Sequence, residues 1–164
     1  MNRRLPRAAL GGGVGLALAA LPAAPAAAQC PLLDGPWEGA EIGDRTGASV
    51  AISAGGDVVL IGEPERGDNG TVRVLQRDDQ GAWTEGFEIP YPGNFNDLGA
   101  RFGESVAVSA DGLVVVIGAP SATPLGGPAQ IGSAFAMQRA NLDLGFVLVE
   151  ELVDPAPQTG AGFG

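Results

Sequence analysis

Two stretches of this chain repeat each other without a gap, and that repetition limits the fold more than any other feature. The residues from Gly47 to Pro64 match those from Gly103 to Pro120 at a constant spacing of 56, the difference between 103 and 47. Within each copy a short alternating run, Ser49 to Ser53 or Ser105 to Ser109, reads as a strand with successive side chains on opposite faces. A turn dipeptide follows, Gly55-Gly56 in one copy and Asp111-Gly112 in the other. Both pairs tolerate positive φ, which predicts a two-residue type I′ turn. The runs Val58 to Ile61 and Leu113 to Ile117 are apolar throughout, which predicts strands covered on both faces. Pro64 and Pro120 end them, since proline has no N–H to give to a ladder. Val50, Ile52, Val106 and Val108 are expected in the core.

The repeat continues beyond the hairpin. Thr71 to Arg77 alternates as a third strand, Asp78-Asp79-Gln80-Gly81 turns the chain, and Trp83 to Ile89 supplies a fourth. In the second copy, Gly132 to Arg139 and Phe146 to Leu152 correspond. The loop Ser121 to Ile131 is six residues longer than its counterpart, and variable loops on fixed strands are where binding tends to sit. Gly160-Ala-Gly-Phe163-Gly164 echoes Gly99-Ala-Arg-Phe102-Gly103 and reads as the start of a third copy.

Four strands per repeat at this period suit a propeller blade. The order Phe-Gly, Ser-Val-Ala-Val-Ser, an apolar strand, then Gly-Ala-Pro resembles the FG-GAP repeat, the blade unit of integrin-type β-propellers. The motif positions are Gly47, Ser49, Gly62 and Pro64 in the first copy, and Phe102, Gly103, Ser105, Gly118, Ala119 and Pro120 in the second. The first copy departs from the pattern, with Thr46 where Phe is expected and Glu63 in place of Ala. The resemblance implies an all-β fold of two four-stranded antiparallel blades plus the start of a third, an incomplete propeller. It divides the chain into a blade over residues 43–98, a blade over 99–159 and a truncated repeat over 160–164. Residues 29–42 form a lead-in, and the likeness of Trp37-Glu-Gly-Ala-Glu41-Ile42 to Trp83 to Ile89 allows it a closing strand. Because a propeller needs several blades to close, further blades of the same chain or other copies are expected partners.

Residues 1–28 read as a secretory signal: Arg3, Arg4 and Arg7, an apolar run from Ala8 to Leu21, and Ala26-Ala27-Ala28 before Gln29. The expected location is therefore secreted, periplasmic or at the cell surface, with no membrane span in the mature chain. Cleavage after Ala28 would leave 136 of the 164 residues and, by removing three arginines, take the net charge from −10 to −13. With no Lys, no His and scattered Arg, the chain has no basic patch for nucleic acid. Its single cysteine, Cys30, excludes an intrachain disulfide and a thiolate zinc site.

Integrin-type repeats often hold calcium in the first hairpin. Ser53-Ala54-Gly55-Gly56 and Ser109-Ala110-Asp111-Gly112 offer at most one carboxylate, where calcium wants six to eight oxygens, so the family's metal site does not carry over and no cofactor is expected. Gly103-Glu104-Ser105-Val106-Ala107 resembles a nucleophile elbow, but it should lie in a strand with no helix following, and no His or Lys can activate Ser105. No catalytic residue is assigned. What the resemblance implies is a binding or adhesion module that presents loops to a protein or glycan. The alternatives are an accessory module of a secreted enzyme and a structural repeat spacer.

Overall fold

The computed structural model describes residues 39, 41–93, 97–124, 130–156, 158 and 160–164. The segment expected to be a secretory signal and most of the proposed closing strand lie outside these residues. Glu41 and Ile42, the described end of that segment, form a bend and turn with no strand pairing.

The described chain is all-β, with eight strands and no helix. The first sheet comprises β1 (Ser49–Ile52), β2 (Val58–Glu63), β3 (Thr71–Arg77) and β4 (Trp83–Pro90), and the second β5 (Ser105–Val108), β6 (Val114–Ala119), β7 (Ser133–Gln138) and β8 (Val147–Leu152). Each is an antiparallel meander in chain order. The registers are equivalent too. Val50 pairs with Ile61 and Ile61 with Arg73, as Val106 pairs with Ile117 and Ile117 with Phe135. A bulge opens β3 against β4 between Val74 and Leu75, and β7 against β8 between Ala136 and Met137, the same place in both.

The turns at Gly55-Gly56 and Asp111-Gly112 differ from the type I′ expectation. A type I′ turn needs positive φ at both residues, but only Gly56 (φ 73) and Gly112 (φ 71) have it. Each loop has four residues. Ser53 N–H donates to the Val58 carbonyl and Gly56 N–H to the Ser53 carbonyl, both at 2.9 Å. The longer loop is held by its first serine: Ser53 Oγ accepts from Val58 N at 3.1 Å, and Ser109 Oγ from Val114 N at 2.9 Å. Two- and four-residue loops share a centre, so the strand register is the one the shorter turn would impose. In the second loop the Asp111 carboxylate lies 2.5 Å from Ser109 Oγ and accepts from Leu113 N, with the serine contact the larger cause holding its pKa below the usual value. A depressed carboxylate adds stability above its unfolded pKa and loses it as pH falls through the folded value. Ser109→Ala should therefore lower the urea midpoint at neutral pH, and lower it less once acid has protonated Asp111.

The core lies between the two sheets. Val58, Leu60, Val72, Val74 and Ile89 of the first form one buried cluster with Phe102, Val115, Ile117, Phe135 and Met137, and Val106 and Val108 pack against it. Tyr91, Phe102 and Phe135 meet edge to face, with ring centroids 5.5 to 5.9 Å apart. The expected double coverage of the apolar strands does not hold. On β6, Val114 and Val116 remain 44% and 38% exposed, and on β1, Val50 and Ile52 remain 62% and 59% exposed. Alternation decides this: each sheet has one face against the other sheet and one face outward, and among the described residues no further sheet covers the outward faces.

Candidate binding rim

The repeat motif is the joint between the sheets. Gly47 (φ 84) and Gly103 (φ 94) start the hairpins, donating to the Gly62 and Gly118 carbonyls at 3.0 and 2.9 Å. The chain entering the second sheet crosses the first: Phe102 N–H donates to the Asn69 carbonyl at 2.8 Å, and Ser49 Oγ donates to the Gly103 carbonyl at 2.7 Å. Gly62 is bare because a Cβ there would collide with the Gly103 carbonyl oxygen. The third echo docks likewise. Phe163 N–H donates to the Ile131 carbonyl at 3.0 Å, and a Cβ on Gly118 would strike Gly164. Pro64 and Ala119 are buried, Pro120 is half-buried at the end of β6, and Ser105 is exposed on the outer face.

This joint sits at the end of the sheets where β1, β3, β5 and β7 begin, and a charged rim surrounds it. Arg45 Nη1 lies 3.7 Å from Glu65 and 3.3 Å from Glu104, while Arg101 lies 3.6 Å from Glu65 and 2.7 Å from Glu104. The two arginines occupy equivalent positions, 56 residues apart, and both have positive φ, 53° and 59°. The third echo has Gly162 at this position, φ 65.

Below the rim, Glu63 is wholly buried. Its carboxylate meets Arg66 at 2.7 Å and Arg73 at 2.9 Å and accepts from the Thr46 hydroxyl at 2.8 Å. Glu88 and Glu85 close the cluster, at 2.8 Å from Arg66 and 3.2 Å from Arg73. The hydrogen bond to Glu63, ahead of the opposing effect of burial, raises the Arg66 pKa. Thr46 and Glu63, the two departures from the repeat pattern, are thus partners. In the second sheet the matching positions are Phe102, Ala119 and Phe135, so an aromatic cluster in one repeat is an ionic one in the other. Across the joint, Tyr91 donates to Asp97 at 3.0 Å, and Asp97 also accepts from Thr123 N at 2.5 Å. Burial first, then this hydrogen bond, raises the tyrosine pKa.

Reading the sequence missed the rim. The signal was present in the alignment of Arg45 with Arg101, but nothing in two arginines announces positive φ. The long loop from Ser121 to Ile131 also reaches this end, with residues 125–129 outside the described set. Asn69, in a glycosylation-type sequon, accepts from Ala100 N at 3.3 Å, so its side chain is engaged in the joint. Among the described residues no cluster of three or more His, Cys, Asp or Glu is arranged to hold a metal, and no helix is long and apolar enough to cross a membrane. No protein-family model matches this chain, and a search of curated proteins finds no match.

Proposed function

We propose that this chain is an exported, FG-GAP-type pair of propeller blades that binds a protein or glycan through the rim around Arg45, Glu65, Arg101 and Glu104. One observation carries the reading: two arginines are held in a conformation that glycine adopts freely. A non-glycine residue in the left-handed region costs on the order of 1 to 2 kcal/mol. Exposed ion pairs return about 0 to 1 kcal/mol. The rim therefore gives the fold little net stability, and strain kept at an exposed site is a mark of function. The two arginines and two glutamates offer donors and acceptors side by side, suited to a polar surface rather than to an apolar ligand.

The test is the variant Arg45→Gly with Arg101→Gly. It removes the strain and the guanidiniums together. On an array of immobilised glycans and extracellular proteins, the parent chain should bind at least one member, and the variant should bind it tenfold or more weakly while melting no lower than the parent. An array with no bound member, or a variant that binds as the parent does, would overturn the reading.

A further inference from the structure

We infer that a second copy of this chain docks head to tail on the first, the outer face of its first sheet against the outer face of the other copy's second sheet. The joint inside the chain shows what each outer face accepts. Its two sides are the inner face of the first sheet, with Ala51, Leu60 and Val74, and the inner face of the second, with Val106, Val115 and Ile117. By register, Ala51, Val58, Leu60 and Val74 correspond to Ala107, Val114, Val116 and Ala136, which lie on the second sheet's outer face. Conversely, Val106, Val108, Val115, Ile117 and Met137 correspond to Val50, Ile52, Val59, Ile61 and Leu75, which lie on the first sheet's outer face. The molecule exposes the apolar stripes of both halves of an interface it has already formed once; at the end of the second sheet residues 160–164 lie where residues 43–47 of a docked copy would sit, and this short segment, whose Phe163 is 37% exposed, lifts away when the copy seats. The first sheet's half is concave, a hollow of about 330 Å³ lined by Val50, Val59, Ile61, Leu75 and Trp83 among others.

The polar part of the interface changes on both sides together. Inside the chain, Tyr91 reaches from the first sheet to Phe102 and Phe135. Because Glu88 and Glu151 hold equivalent places opposite Arg73 and Phe135, and Pro92 aligns with Pro155, the residue standing where Tyr91 stands is Asp154. The residues standing where Phe102 and Phe135 stand are Thr46 and Arg73. A copy docked in the internal geometry thus brings the half-buried Asp154 to the Arg66 and Arg73 guanidiniums, in place of one aromatic ring meeting two. Glu85 and Glu88, each about half exposed, already share those guanidiniums, so Asp154 exchanges with them and sets register, while the valine and isoleucine stripes supply the attraction. The contact is heterologous, and repeating it builds a ring or an open filament.

Two variants test this in sedimentation velocity at low micromolar concentration. Val50→Asp with Ile52→Asp spoils one face, and Val114→Asp with Val116→Asp spoils the other. All four positions are exposed, so both should fold, as circular dichroism would verify. The parent chain should form species larger than a dimer, each variant alone should be monomeric, and an equimolar mixture should give a one-to-one dimer, because each variant keeps the face its partner needs. Asp154→Lys should weaken parent assembly tenfold or more without changing circular dichroism, and it tests the same geometry should an aspartate variant misfold. A monomeric parent, a mixture that stays monomeric, or parent assembly indifferent to Asp154→Lys would overturn the inference.

Discussion

Gly62→Ala should lower the stability of the chain by about 3 kcal/mol or more, and its melting temperature by about 10 °C or more, whereas the equivalent Gly118→Ala should cost under about 1 kcal/mol. At both positions the new methyl occupies space held by the next repeat: the Gly103 carbonyl in one case, Gly164 in the other. The difference lies in what must move. Gly103 sits between the two sheets, its carbonyl accepting from Ser49 Oγ and its neighbour Phe102 wholly buried, so displacing it opens the core and breaks that hydrogen bond. Gly164 belongs to a short segment whose Phe163 is 37% exposed, and it can lift away with little lost. Equal losses for the two variants in thermal unfolding would show that the joint does not hold the sheets together.

Glu63→Ala should cost about 3 to 5 kcal/mol in urea unfolding, the range for removing one partner of a buried ionic group. Arg73 keeps only 7% side-chain exposure and would lose its most buried counter-charge, and the Thr46 hydroxyl would lose its acceptor. The second repeat suggests the rescue, since it fills the same positions with Phe102, Ala119 and Phe135. Combining Glu63→Ala with Thr46→Phe and Arg73→Phe should recover most of the loss, because a buried ion cluster exchanged whole for packed apolar groups is often neutral or better. A triple variant no more stable than the single one would mean that the two clusters are not equivalent.

The strands were legible because they carry two independent signals, alternation and a second copy in register. Thr71 to Arg77 and Ser133 to Gln138 emerge as strands within a residue of the sequence reading. Burial was less legible. An apolar run such as Val114 to Val116 reads the same whether or not a neighbour covers it, and coverage depends on how many sheets stack rather than on the run itself. The turn type was hidden because Asp-Gly serves both a two-residue and a four-residue loop, and the choice fell to Ser53 and Ser109, whose hydroxyls bond the far strand. The rim left only one trace in the sequence, the alignment of Arg45 with Arg101. Positive φ recurs at this place in each copy, at Arg45, Arg101 and Gly162, and no propensity of arginine expresses it.

That one sheet stacks on the next through a repeating joint can be measured directly from nuclear Overhauser contacts in the methyl-labelled chain, using the Val114→Asp, Val116→Asp variant to keep it monomeric. A Val58 methyl should show a cross-peak to the Gly112 α-protons, since a Cβ on Gly112 would lie only 2.6 Å from Val58 Cγ2, and Phe102 ring protons should meet those of Tyr91 and Phe135. Cross-peaks confined within each sheet, with none from Val58 or Tyr91 to the second, would contradict the stacked arrangement.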